Sequence, residues 1–430
     1  MSALRTGEPL CANRPLRRRQ FRGSARRRTN RGAGYCYVVD PVWDVAIVGA
    51  GPAGAAAALG ARQLNPAVTV LLLDKADFPR DKTCGDGIAP HVLDVLAAVG
   101  VPHLLNDHSP VWRMCFRAGS RAVARPMARP TWVVPRVEFD ARLVRHAVAS
   151  GAALIRHRVR QIRSQPGAVV IDDRFRARVV IGADGAHSLT RQAVGLARPQ
   201  RWALAIRGYA PPAEEYKEAQ VISFGCGRQP RYAWSFDTGT GVANIGYGAL
   251  LRGAGQNLSR ADMLGQLERL LPDVPTGATR WRAHHLPLSN WSWSPPGGRI
   301  LLAGDAAGLV NPLSGEGIYH AVASGVLAGR CAAEAVHDRS TSRAGERHRF
   351  HMRRAMARNL RHTTVSAALA SRQTLMSAAL RCATNDRAIF DDLVELGLGD
   401  GALHARDITA LLRATPRALR ETLSALRPAR

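Results

Sequence analysis

Lysine is nearly missing from this chain: of 60 basic side chains only Lys75, Lys82 and Lys217 are lysines, and the rest are arginine. A net charge of +27 would ordinarily point to nucleic acid or an anionic membrane. Arginine bias together with abundant alanine and glycine fits a GC-rich coding sequence equally well, and no zinc-finger, helix-turn-helix or RNP-type aromatic pattern accompanies the charge. Nucleic acid is therefore not an expected partner. No run approaches about eighteen uninterrupted apolar residues, which leaves no candidate transmembrane helix. The seven cysteines, Cys11, Cys36, Cys84, Cys115, Cys226, Cys331 and Cys382, contain no CxxC spacing and no regular framework. That argues against a zinc site or a secreted disulfide scaffold, and no metal is expected.

Glycine, in contrast, is concentrated in three informative segments. The first reads Trp43-Asp44-Val45-Ala46-Ile47-Val48-Gly49-Ala50-Gly51-Pro52-Ala53-Gly54, an apolar run, a GxGxxG turn and then the alanine-rich stretch Ala55 to Leu64. This order predicts strand, tight turn and helix. Gly49 permits the turn, Gly51 admits a pyrophosphate without a Cβ in its way, and Gly54 lets the helix pack on the strand, with the helix N-terminus facing the phosphates. A second apolar run, Val68 to Leu73, ends at Asp74, twenty residues beyond Gly54, where a carboxylate can take a ribose 2′-hydroxyl.

The second segment, Val179-Val180-Ile181-Gly182-Ala183-Asp184-Gly185, is another strand ending in Asp-Gly. The third, Ile300 to Pro312 with Gly304-Asp305-Ala306, is followed by Gly315-Glu316-Gly317-Ile318 and by small and apolar residues that predict a helix from Gly317 to Val336. The N-terminus of that helix would suit the negative charge of a reduced flavin ring. Three such segments in this order point to one FAD site.

The order GxGxxG, acid, Asp-Gly, Gly-Asp-Ala, over about residues 43 to 336, resembles the FAD-dependent oxidoreductases of the para-hydroxybenzoate hydroxylase fold. Within them the chain is most similar to geranylgeranyl reductases. The loop Cys84-Gly85-Asp86-Gly87, the segment Tyr232-Ala233-Trp234-Ser235-Phe236 with the following Ala243 to Gly248, and Asn311-Pro312-Leu313-Ser314-Gly315-Glu316-Gly317-Ile318 carry that likeness. Asp237 departs from it, standing where the family has proline. The resemblance implies an FAD site made of Gly49, Gly51, Pro52, Ala53 and Gly54 at the pyrophosphate, Asp74 at the adenosine ribose, Asp305 at the ribityl chain, and Lys75. Cys84, Gly85, Asp86, Gly87, Asp184, Gly185, Gly304, Gly315, Gly317 and Ile318 complete it. It also implies an arginine reaching the phosphates, Arg136, whose alternative reading is an ordinary surface arginine. NAD(P)H is the implied electron donor, with another reductant as the alternative.

The expected fold class is α/β, with a Rossmann-like FAD-binding domain, an antiparallel-sheet substrate domain and a helical C-terminal region. Residues 41–200 and 297–340 are assigned to the first, 201–296 to the second and 341–430 to the third. Short alternating strands at Trp202 to Tyr209, Ala219 to Phe224, Arg231 to Phe236 and Val242 to Gly248 mark the sheet. Tyr232, Trp234 and Phe236, spaced by two, would project from one face and wall a cavity for an apolar substrate. Residues 1–40 carry ten arginines opposed only by Glu8 and Asp40, a composition expected to be disordered. Arg18-Arg19-Gln20-Phe21 resembles a twin-arginine signal, but Arg22 to Arg28 supply no apolar region, so export is not expected. The folded part is expected to begin around Val38 to Trp43, the arm being either a lipid head-group contact or the product of an upstream start codon. A basic segment from Arg343 to Arg361, then Thr363 to Leu380 and Ala388 to Leu398, reads as helices packed on the FAD domain or laid on a membrane. The enzyme is expected to be cytoplasmic, with peripheral membrane association as the alternative.

Two chemistries fit these residues. In one, reduced FAD delivers a hydride to a carbon–carbon double bond of a prenyl chain or prenylated lipid, and a nearby acid supplies the proton, with Cys84 the candidate and a purely structural loop the alternative reading. In the other, reduced FAD activates O₂ to hydroxylate an aromatic or polyketide-type metabolite. Halogenation is disfavoured: Trp291-Ser292-Trp293 stands immediately before the Gly304 strand, and no lysine lies between Lys82 and Lys217. The oligomeric state is left open.

Overall fold

The computed structural model describes residues 42–225, 231–251, 258–272, 274, 277–290 and 294–415. The basic arm, Trp291-Ser292-Trp293, Cys11, Cys36 and Cys226 lie outside the described residues.

Continuous apolar runs become strands here because both faces of the first sheet are covered. Among the described residues that sheet has seven strands, in the order Ala153–Arg156, Val70–Asp74, Val42–Val48, Phe175–Gly182, Ala168–Ile171 and Ile162–Gln165, with Ile300–Leu302 also paired to Phe175–Gly182. The pairings that carry the glycine segments are parallel, and only the hairpin 162–171 and its bond to Phe175–Gly182 are antiparallel. Val45, Ile47, Val70 and Leu72 face the helices, whereas Ala46, Val48, Leu71 and Leu73 face a separate cluster with Ile162, Val169 and Ile171.

The alanine-rich helix Pro52–Leu64 crosses the later helix Ile318–His337 at very short range. A Cβ on Gly325 would stand 2.2 Å from the Ala53 carbonyl oxygen, and one on Gly329 would stand 2.0 Å from that of Ala57. Small residues on both helices are therefore what brings the 318 helix against the glycine turn.

The second sheet has eight strands among the described residues, in the order Thr279–Pro287, Trp202–Ala210, Ala243–Leu250, Arg231–Asp237, Ala219–Phe224, Val111–Ala118, Arg121–Val133 and Gly87–Ile88. It is antiparallel except where Ala219–Phe224 runs parallel to Val111–Ala118. Strands within 87–133, a range assigned by sequence to the FAD domain, are thus hydrogen-bonded into this sheet. The Cys84 loop immediately precedes its edge strand, which places that loop where the two sheets meet.

Among the described residues four helices follow, Ala344–Ala370, Gln373–Asn385, Arg387–Leu398 and Ala405–Ala414. The first packs on Ile318–His337 and the strand Ile300–Leu302. Leu380, Ala383, Phe390 and Val394 from the next two cover Met114, Phe116, Val123 and Met127 of the second sheet. The first three of these helices thus bury apolar faces against the folded body, and the fourth packs on Gln373–Asn385. No helix among the described residues is long and apolar enough to cross a membrane.

Candidate active site

The first glycine turn is built as the GxGxxG spacing requires. Gly49 has φ +98°, and a Cβ there would lie 2.3 Å from the Ala183 carbonyl oxygen. Gly54 is closed by packing, since its Cβ would lie 1.8 Å from the Gly49 oxygen. Gly51, the N-cap of the helix, is open: a Cβ there would meet only Arg80 Nη2, at 3.3 Å. Asp74 braces the turn, its Oδ2 accepting from Ala50 N–H at 2.8 Å and its Oδ1 from Ala76 N–H at 2.9 Å.

Gly49, Gly51, Pro52, Ala53, Asp74, Lys75, Cys84, Gly85, Gly87, Arg136, Asp184, Gly185, Asp305, Gly315, Gly317 and Ile318 all line one cavity of 620 Å³. Gly54, Asp86 and Gly304 do not line it. Gly54 and Gly304 stand behind the wall, where Gly304 donates its N–H to Ser324 Oγ at 2.9 Å and a Cβ on it would come within 3.0 Å of Ala53 Cβ. The residues present suit FAD. Space at Gly51 that a side chain would fill adjoins a helix N-terminus with free N–H groups, and Asp74 and Asp305 are hydrogen-bond acceptors on the cavity wall. Asp305 follows the strand Ile300–Leu302 on a short 3₁₀ turn, Gly304–Ala307. Burial disfavours its charge, but Lys82, whose Nζ is 3.1 Å from Oδ2, holds the carboxyl below the usual carboxylate range.

Arg136 is not a surface side chain. It is 4% exposed, and Asp140, one turn along the helix Arg136–Ala149, takes its Nε and Nη2 at 2.6 and 2.7 Å. Arg80 shares the same carboxylate at 3.3 Å. Two guanidinium groups on one carboxylate leave net positive charge beside the open Gly51 turn.

Cys84 faces the cavity on its loop, half-buried. Burial pushes its thiol up, the nearby Arg136 charge opposes this, the Asp86 charge adds to it, and the Asp86 backbone N–H favours the thiolate. Asp86 itself points away from the cavity into the second sheet, with φ +61° and no solvent exposure. Its Oδ2 accepts from Tyr209 O–H at 2.5 Å and from Asn244 Nδ2–H at 2.7 Å. Burial pushes the Asp86 carboxyl up to about 6, against those hydrogen bonds and the charges of Arg207 and Arg136.

Tyr232, Trp234 and Phe236 all reach the cavity, with neighbouring ring centroids 6.0 and 6.4 Å apart. The facing strand makes room for the middle ring: a Cβ on Gly246 would be 2.2 Å from Trp234 Cζ2. The Tyr232 hydroxyl donates to the Ser314 carbonyl, which ties the aromatic strand to the loop 311–317. Ile222, Leu286, Leu288 and Leu398 extend the apolar wall. An apolar chamber thus continues directly from the nucleotide cradle past a thiol.

A family model described as FAD binding domain matches residues 42–211. Menaquinone reductase of Mycolicibacterium smegmatis is 32% identical, over 66% of this chain and 75% of its own. Digeranylgeranylglycerophospholipid reductase 1 of Methanopyrus kandleri is 31% identical, over 70% of this chain and 83% of its own. The chain belongs to the geranylgeranyl reductase family. It is an FAD-dependent oxidoreductase. The solved structure of a geranylgeranyl bacteriochlorophyll reductase-like protein from Thermoplasma acidophilum superposes with a TM-score of 0.68, at 19% identity, over 90% of this chain and 98% of that one, which shows the shared fold.

In this member of the reductase family the departure at Asp237 has a local reason. Its carboxylate accepts from the Glu218 and Gly239 N–H groups at 2.8 and 2.9 Å, closing the strand end by hydrogen bonds where proline would close it by geometry. Sequence reasoning missed several residues around the site: Asn244, Arg207, Tyr209, Asp140, and the Gln220–Thr131 pair, hydrogen-bonded at 2.9 Å on the cavity wall. The signal available was a polar side chain inside an otherwise apolar strand, as at Arg207 and Asn244.

Proposed function

We propose that this enzyme reduces carbon–carbon double bonds in the prenyl chain of a lipid-like substrate, with NAD(P)H as electron donor and Cys84 as proton donor. The observation that carries the reading is the continuity of one cavity, from the open Gly51 turn, past Cys84, to the wall of Tyr232, Trp234 and Phe236. Gly49, Gly51, Asp74, Arg80, Arg136 and Asp305 would hold FAD, which when reduced supplies the hydride equivalent. The aromatic and aliphatic wall excludes water and lays an extended apolar chain along the chamber. Cys84 gives its proton to the neighbouring alkene carbon; the thiolate left behind faces the Arg136 charge and the Asp86 N–H. A thiol kept protonated by burial, yet stabilised once ionised, is suited to donating one proton per turnover.

A peripheral membrane location accompanies this reading, because a prenylated substrate partitions into lipid. The outer face of Ala344–Ala370 supports it: Arg353, Arg354, Arg358 and Arg361 are exposed around Phe350, itself 58% exposed. None of these arginines is in an ion pair among the described residues, and Arg354 lies over the Phe350 ring at 5.6 Å.

The test is anaerobic stopped flow. Flavin reduced in the purified protein should be reoxidised by a geranylgeranylated glycerolipid without oxygen, the prenyl chain gaining two hydrogens by mass spectrometry, and Cys84→Ala should retain the flavin while slowing that step. Reoxidation by air alone, with hydroxylation of an added aromatic compound, would replace the reductase reading by the monooxygenase one.

A further inference from the structure

We propose that Asn244 is a positioning residue that fixes the Cys84 loop against the aromatic wall, and so sets where the thiol stands over the substrate double bond. The proposal rests on the reductase reading above for its catalytic consequence, but not for its geometry.

Asn244 has no solvent exposure and does not line the cavity, so it touches neither substrate nor flavin. Its side chain nevertheless joins the two parts of the site that must be held in register. One amide hydrogen goes to the Cys84 carbonyl at 2.8 Å and the other to Asp86 Oδ2 at 2.7 Å, while Oδ1 accepts the Trp234 indole N–H at 2.8 Å. The amide fits only this way round, because an indole N–H can only donate and a carbonyl or carboxylate can only accept. No other single side chain type offers two donors and an acceptor in so short a plane.

The loop needs such a hold. Asp86 sits at φ +61°, a left-handed conformation that a non-glycine residue keeps only where the surroundings impose it. Asn244 and Tyr209 hold its side chain, both on Oδ2 of the same buried carboxylate, while the Val134 N–H holds its backbone carbonyl at 2.9 Å. Gly85 lies between the two fixed residues and against the rings: a Cβ there would be 3.3 Å from Phe236 Cε2 and 3.7 Å from Trp234 Nε1. The rings leave little room for a side chain at this point of the loop, and a shift of the loop is a shift of Cys84 relative to the wall. Positioning of this kind is felt in the chemical step, where a misplacement near 1 Å can cost on the order of a hundredfold.

Asn244→Leu keeps the branched four-atom outline, at a larger volume, and removes all three bonds. In the FAD-loaded enzyme the flavin should remain bound with unchanged affinity. Alkylation of Cys84 by iodoacetamide, followed site by site by mass spectrometry, should quicken about fivefold or more as the loop opens locally. With a prenyl alkene, kcat should fall by about tenfold or more at an unchanged KM. In a Cys84→Ala background the same substitution should cost nothing further, since Asn244 acts through that thiol. Unchanged Cys84 alkylation, or an equal loss of kcat with and without Cys84, would overturn the proposal. If Asn244→Leu fails to hold FAD, Asn244→Ala, which removes the same three bonds without added bulk, must show faster Cys84 alkylation, and its absence would overturn the proposal equally. Failure of every alkene to reoxidise the wild type would remove the reductase reading while leaving the alkylation comparison to decide the role of Asn244.

Discussion

Arg136 and Asp140, one helical turn apart, form a two-pronged ion pair at 2.6 and 2.7 Å, with side chains 5% and 0% exposed, against the wall of the flavin cavity. Burial alone would disfavour the guanidinium charge, but Asp140 more than offsets it and raises the Arg136 pKa. Removing one member of a buried pair strands the other, which typically costs about 3–5 kcal/mol. Asp140→Ala should therefore lower unfolding stability by about 3 kcal/mol or more, since it strands Arg80 as well as Arg136. The double replacement Arg136→Met with Asp140→Leu should lose much less in a urea titration, yet still bind FAD more weakly. Equal losses for single and double variants would contradict the stranded-charge account.

Two glycines of the same turn should fail differently. Gly51 has φ −68°, which any residue adopts, and only the flexible tip of Arg80 lies near its missing Cβ. Gly51→Val should therefore fold and lose its yellow colour. Gly54→Ala places a methyl 1.8 Å from the Gly49 carbonyl oxygen, so the helix must move. It should lose flavin and thermal stability together. Retained flavin in Gly51→Val, measured by absorbance after desalting, would contradict the phosphate-loop assignment.

That contrast also marks what the sequence conveys. The strand, glycine turn and helix of 42–64 depend on neighbours in sequence, so apolar runs and glycine spacing display them directly. Tyr232, Trp234 and Phe236 share a face because strand residues alternate, which is again local. The burial of Arg136 and its pairing with Asp140 are illegible for the opposite reason. An arginine and an aspartate at i and i+4 look the same on a solvated helix as on a buried one, and only packing around the cavity distinguishes them. Asn244 needs the register of three strands and a loop from residue 84 to acquire its partners, and Gly87 to Val133 join the second sheet through long-range pairing. No window of sequence contains either relationship.

Asp86 gives the stability of the protein a pH dependence of unusual sign for a carboxylate. Its pKa is raised from 3.8 to about 6, so between those values the folded chain binds a proton that the unfolded chain releases. The contribution of this group is most favourable below about 4 and declines as pH rises through 6, by on the order of 3 kcal/mol. Asp86→Asn cannot ionise. Relative to wild type, the variant should gain stability as pH is raised from about 4 to 7, read as the difference in urea midpoint at each pH. Parallel pH profiles for the two proteins would show that Asp86 does not titrate in this window.

The arginine face of Ala344–Ala370 makes the membrane reading measurable. Arg353, Arg354, Arg358 and Arg361 are exposed, and replacing all four by glutamine leaves the buried side of the helix, with Met352, Met356 and Leu360, unchanged. Each basic side chain near an anionic surface is worth about 1 kcal/mol, so the fourfold variant of the full chain should bind phosphatidylserine-containing vesicles roughly a hundredfold or more weakly, and the wild-type interaction should weaken with added salt. Phe350→Ser should weaken binding further at high salt, where the apolar contact is what remains. Flavin content should be unchanged in both variants, because neither touches the cavity. Vesicle sedimentation that does not distinguish the fourfold variant from wild type would place any lipid contact elsewhere on the chain.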